Sequence, residues 1–108
     1  MVERAVQLDV VFGSLADTTR RDILARLQGV ELNVGEVAAP YNMSLAAISK
    51  HLKILEQARL IRKRKAGKER LVTLRPEAME QAAKYIQQYE RMWSERLDRL
   101  EIILKEES

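Results

Sequence analysis

From Pro76 onward, Ala82, Ile86, Tyr89, Trp93, Leu97, Leu100 and Leu104 recur at intervals of three and four residues. That spacing places them on one stripe of a helix, and at 3.6 residues per turn the stripe runs for about six turns. Pro76 suits the first position of such a helix, where a missing N–H costs nothing. No other feature constrains the fold as much, because close to a third of the 108 residues is committed to this one helix. The stripe either packs back across the chain's own core or is covered by a partner surface, since it is long for a small domain to cover alone.

The residues upstream read as short elements with their own signals. Val6, Val10, Val11 and Phe12 have helical spacing over residues 3–13, interrupted by Gly13 and Ser14. Asp17 can cap a second helix, TTRRDILARLQ, with Ile23, Leu24 and Leu27 inward and Gly29 as its stop. Asn33 followed by Glu36 forms a capping-box pattern that predicts a short helix from Val34 to about Tyr41, with Val37 and Ala38 inward and an end near Pro40. After the break Tyr41-Asn42-Met43, Ser44 can cap a further helix with Ile48, Leu52 and Leu55 on its buried side. Mixed apolar and basic runs from Leu60 to Lys65 and from Arg70 to Arg75 flank Ala66-Gly67-Lys68-Glu69, the pattern of a β-hairpin. Two short helices, a tight break and a basic hairpin predict a winged helix-turn-helix: a mainly α domain of about five helices with a two-stranded wing, in one unit spanning residues 1–108. Met43, Met79 and Met92 are read as core packing.

Charge is distributed unevenly along this chain of net charge +3. Residues 50–76 hold ten Lys/Arg against two Asp/Glu, whereas the segments on either side are net acidic. A focused basic block is the footprint of a nucleic-acid surface, because a polyanion offsets its self-repulsion; the alternative is a solvated basic hairpin. With no cysteine, the chain has no disulfide, thiolate metal site or cysteine nucleophile. One histidine in a basic setting and no glycine-rich phosphate loop argue against an enzyme. No apolar run has the length of a membrane span and MVERAVQLDV lacks a signal-peptide core, so a cytoplasmic protein is expected.

The runs LADTTRRDIL (15–24) and SLAAISKHLKILEQARLI (44–61), followed by the wing, resemble the ArsR-type family of bacterial winged-helix repressors. The most specific part is the Ser-x-His-Leu-x-x-Leu core at Ser49, His51, Leu52 and Leu55. The C-terminal run WSERLDRLEIIL further resembles a branch that does not depend on metals. The resemblance implies a homodimer built from the first and last helices, about residues 3–13 and 77–105, with Val6, Val10, Tyr89, Trp93, Leu97 and Leu100 at the interface. It also implies a repressor released from its operator when a ligand changes the spacing of two recognition helices. Many members carry a Cys-x-Cys metal pair, but here those positions are Asn33 and Gly35, which supply no soft anionic ligand. No metal site and no cofactor are therefore expected, and a small organic effector is the better candidate signal.

For DNA, the expected contacts are Ser44, Leu45, Ala46, Ser49, Lys50, His51 and Lys53 on the recognition helix and Arg64, Lys68 and Arg70 on the wing. Ser49 and Lys50 can reach base edges, while Leu45 and Ala46 can touch thymine methyls. Leu45 also stands seven residues before Leu52, which leaves a core position open. His51 either bonds a phosphate or satisfies a backbone carbonyl. Arg20 and Arg21 either lie near the DNA backbone or pair with Asp17 or Glu36. Arg59 stands where relatives commonly have glycine, so a left-handed residue there would cost about 1 kcal/mol. The expected function is a sequence-specific double-stranded DNA-binding regulator, a homodimeric repressor of its own operon acting on a pseudo-palindromic operator. A winged-helix module that binds only proteins is the alternative.

Overall fold

The computed structural model describes the backbone of residues 2–107 and the side chains of residues 8–107. Five helices and three short strands follow in the order α1 (Val2–Ser14), α2 (Thr18–Arg26), β1 (Leu32–Asn33), α3 (Val34–Ala38), α4 (Leu45–Gln57), β2 (Ile61–Ala66), β3 (Glu69–Leu74) and α5 (Pro76–Glu107). The first helix continues through Gly13 to Ser14, because the Ser14 hydroxyl donates to the Val11 carbonyl at 2.7 Å and so remains satisfied where it is buried.

The predicted caps are formed. The Asp17 carboxylate accepts from the Arg20 N–H at 3.0 Å, and Ser44 Oγ accepts from the Ala47 N–H at 3.1 Å. Asn33 and Glu36 close a reciprocal capping box at 2.7 and 3.0 Å. α3 is shorter than predicted and stops at Ala38: Ala39 keeps helical angles, φ −52° and ψ −45°, but Pro40 has no N–H with which to continue the ladder. Arg26 then ties α2 to α3 by donating to the carbonyls of Glu36 and Val37 at 2.8 and 2.7 Å, with its guanidinium over the Tyr41 ring.

The wing has a third strand that the sequence reading missed. β1 pairs with β3, and β3 with β2, both antiparallel, in the order β1-β3-β2. Gly67 takes φ +63° at the first central position of the β2–β3 turn, where a type II′ turn requires glycine. Arg59 is left-handed at φ 59°, as its position required. It turns the chain from α4 into β2, and the Leu60 N–H returns to the Leu55 carbonyl at 3.0 Å.

One core lies where these elements meet. Ile23 and Leu27 of the α2 region, Val37, then Ile48, Leu52 and Leu55 of α4, and Leu60, Ile61 and Val72 of the wing base are almost wholly shielded. Ala82 is the one α5 residue in this core, and Phe12 of α1 meets Tyr85 with ring centroids 6.0 Å apart. Beyond that point α5 leaves the domain. Of the two readings of its stripe, packing back on the chain's own core is excluded: Ile86, Tyr89, Trp93, Leu97, Leu100 and Leu104 are all exposed, Trp93 at 56%. The molecule is accordingly elongated, 68 Å in its longest dimension, with a radius of gyration of 19.0 Å against about 13 Å for a compact chain of this size. Met43, Met79 and Met92 are exposed rather than core residues. Apolar character alone placed them inside, but Met43 lies in the break before α4 and the other two sit on the projecting helix.

Candidate nucleic-acid interface

Burying Ile48, Leu52 and Leu55 fixes the rotation of α4, and the opposite side of the helix must then face outward. Ala46, Ser49, Lys50 and Lys53 lie there and are exposed, with Ser44 at the cap. Leu45 is 60% exposed and is not a core residue: its spacing from Leu52 turns it toward the buried side, but as the first residue of α4 it stands ahead of the core. Among the described residues, neither Lys50 nor Lys53 has an ion-pair partner. The helix therefore presents a small, positive face that no acidic side chain among the described residues neutralises.

The wing continues that face. Ladder pairing sets Ile61 opposite Leu74, Lys63 opposite Val72 and Lys65 opposite Arg70. Because partners in a ladder share a face, Lys63, Lys65 and Arg70 are on the side whose base enters the core. Ser49, Lys63, Lys68 and Arg70 line one shallow depression between α4 and the wing. Lys65 and Arg70 are like charges directly opposed, an arrangement that is unfavourable in the free chain and relieved by an anion. Lys63 and Lys65 were missed as site residues, although counting alternate residues from Ile61 would have found them.

Two expected contacts are engaged inside the chain. Arg64 forms a two-pronged ion pair with Glu31, at 2.9 and 2.7 Å. The hydrogen bond from Arg64 holds the Glu31 carboxyl below its ordinary pKa, and Glu31 in turn raises that of Arg64. His51 is turned toward α2, with 19% of its side chain exposed, and its Nδ1 lies 3.2 Å from an Arg20 terminal nitrogen and 3.8 Å from the Asp17 carboxylate. Its protein partner is thus an arginine and not a backbone carbonyl. The Asp17 carboxyl is held below its ordinary pKa, chiefly by the Arg20 backbone N–H. Arg20 and Arg21 make no salt bridge with Asp17 or Glu36. Their guanidinium groups instead donate to carbonyls where α1 ends, Arg20 to Ser14 at 2.7 Å and Gly13 at 3.3 Å, and Arg21 to Leu15 at 2.7 Å.

Asn33 fits its capping role, and a Cβ at Gly35 would crowd its amide oxygen at 3.3 Å. The Asn33 amide oxygen receives the Glu36 N–H and its amide nitrogen donates to Glu69 at 3.2 Å. Of the expected dimer residues, Val10, Tyr89, Trp93, Leu97 and Leu100 are exposed, while the side chain of Val6 lies outside the described residues.

Residues 15–64, the span from the start of α2 to the middle of the wing, match the family described as a helix-turn-helix domain. The fold also superposes on the crystal structure of an ArsR family transcriptional regulator with a TM-score of 0.78 and 32% identity, covering 83% of this chain and 93% of that one. The chain belongs to the ArsR family. Among curated relatives, the HTH-type transcriptional regulator Rv2034 of Mycobacterium tuberculosis is 46% identical over 68 residues, which are 63% of this chain and 64% of the relative. The transcriptional repressor SdpR of Bacillus subtilis is 42% identical over 57 residues, 53% of this chain and 63% of the repressor. The chain thus spans somewhat less than two thirds of the length of these two relatives. Among the described residues no helix is long and apolar enough to cross a membrane.

Proposed function

We propose that this chain is a homodimeric, sequence-specific DNA-binding repressor of its own operon, working in the cytoplasm and without enzymatic activity. The observation that carries this reading is the continuous basic face formed by Ser49, Lys50 and Lys53 of α4 with Lys63, Lys65, Lys68 and Arg70 of the wing, within which Lys63 pairs with Glu56 at 3.8 Å. A helix of this width fits the major groove, and a basic wing beside it can follow the flanking phosphates. Ser44, Leu45 and Ala46 stand at the leading end of the helix, where close approach to base edges is easiest. His51 and Arg64 have protein partners, so in this reading they support the face from its margins. The curated relative SdpR is named a repressor, which favours repression over activation.

Two copies would join along α5 and α1, with Tyr89, Trp93, Leu97, Leu100 and Val10 in an interface of about 1,200–2,000 Å². They would set their recognition helices in successive major grooves about 34–36 Å apart, on a pseudo-palindromic operator. A small organic effector at that interface would alter the spacing. A module that binds only proteins has no comparable use for opposed cations such as Lys65 and Arg70.

The deciding experiment is gel-shift titration on the promoter of its own operon, with competitor DNA, at two salt concentrations. A retarded complex that resists random competitor is expected, and equal competition by random DNA would overturn the reading. In the same assay Lys68→Ala should weaken operator and random DNA alike and reduce the salt slope by about one charge per half-site. Lys50→Ala should cost about 1–3 kcal/mol on the operator alone if it reads a guanine edge. Zinc, cadmium or arsenite should leave the shift unchanged, since Asn33 and Gly35 stand in place of a thiolate pair.

A further inference from the structure

One guanidinium gathers three elements of this fold. Arg20, in the first turn of α2, donates through Nε to the Ser14 carbonyl at 2.7 Å and through a terminal nitrogen to the Gly13 carbonyl at 3.3 Å, both at the end of α1. Its other terminal nitrogen lies 3.2 Å from Nδ1 of His51, midway along α4. The Arg20 backbone N–H is itself fixed by the Asp17 carboxylate. Arginine has donors and no acceptor, so His51 Nδ1 must be the acceptor, and the ring proton of the neutral imidazole sits on Nε2. A proton on Nδ1 would set two donors face to face. The Asp17 carboxylate, 3.8 Å from the ring, is outside hydrogen-bond range of it.

We propose that Arg20 is a positioning residue for DNA binding: acting through Nδ1 of His51, it fixes the recognition helix relative to the end of α1. This rests on the DNA-binding reading above and adds a route to it. α1 leaves Val10 exposed for a partner copy, whereas α4 carries the DNA face, and the Arg20–His51 bond is the polar link between their supports. The bond needs an acceptor at the Nδ1 position of residue 51. It does not need the Nε2 position.

His51 is the only histidine in the chain, so its nitrogen resonances can be read without assignment. In the full chain near neutral pH, nitrogen-15 NMR should show an unprotonated Nδ1 and a protonated Nε2; a proton on Nδ1 overturns the proposal. Binding is then measured on a random-sequence duplex at low salt, which requires no knowledge of the operator. His51→Asn keeps an acceptor near the Nδ1 position and should retain most of the affinity, whereas His51→Gln places its amide near the Nε2 position and should lose it. The reverse order would mean that His51 works through Nε2, as a phosphate ligand would, and would refute the Arg20 route. Arg20→Ala should weaken binding about tenfold in the wild-type background and less than about twofold in His51→Leu. Equal losses in both backgrounds also refute it. Should Arg20→Ala fail to fold, the NMR result and the Asn/Gln order still decide. A wild-type chain that binds no duplex at all would remove the DNA-binding reading itself, an outcome distinct from any rearrangement among variants.

Discussion

The helix-turn-helix core and the outer part of α5 contain similar apolar residues and use them in opposite ways. In the core, Ile48, Leu52 and Leu55 from one helix meet Ile23, Val37 and Val72 from three other elements, and all six are shielded from water. Along α5, Trp93, Leu97 and Leu100 have the same regular spacing and remain exposed. The difference lies in neighbours. Short elements separated by tight breaks fold back and cover one another, but a single helix of 32 residues carries its stripe away from everything except α1. The core is therefore covered within one chain, while the stripe of α5 is left uncovered by its own chain.

The contrast is tested most severely by Leu52→Ala. Leu52 is 1% exposed at the centre of the core, so its truncation should cost about 2–5 kcal/mol in urea unfolding at fixed protein concentration. Under conditions where the variant stays folded, its self-association should be unchanged. Trp93→Ala should do the converse. Because the Trp93 ring touches little of its own chain beyond Arg96, its loss should leave the core intact but weaken dimerisation by about 2 kcal/mol, roughly thirtyfold, by light scattering or sedimentation. A wild-type chain that is monomeric at micromolar concentration would break the comparison outright.

Asp17→Ala has the smallest expected effect, about 1 kcal/mol from loss of a helix cap. Its pH dependence has a definite sign. The folded pKa of Asp17 is depressed, mainly by the Arg20 backbone N–H, so the cap's contribution is present above the unfolded carboxyl pKa, about 3.9. It fades as pH falls through the lower folded value. The stability gap between wild type and Asp17→Ala should therefore close on acidification below about pH 4, as followed by thermal melts.

Features written in local sequence were legible. Asp17, Asn33 and Ser44 mark helix starts because a cap bonds an N–H only three residues on, and Gly67 marks its turn because few other residues take that φ. The outer face of α4 followed from its buried stripe. What was lost depends on partners distant in sequence. β1 is two residues with no period of its own, recognisable only by its pairing with Leu71 and Val72. Arg20 lies 31 positions from His51, so nothing local announces their bond. Arg64 reads as a free wing cation until Glu31, likewise remote in sequence, is seen to hold it. Met92 was misplaced for a related reason: the stripe gives a direction around the helix axis but not the point where the core ends.

The length of α5 has a geometric consequence for any pair of copies joined along it. A short contact patch tolerates rocking, since small shifts in packing change the angle between the bodies it connects. From Ile86 to Glu107 the helix extends about 30 Å at 1.5 Å per residue, and over that baseline a lateral slip of about 1 Å corresponds to only about 2° of tilt. The projecting helix thus serves as a ruler. It would hold the two heads of such a pair to a narrow angular tolerance.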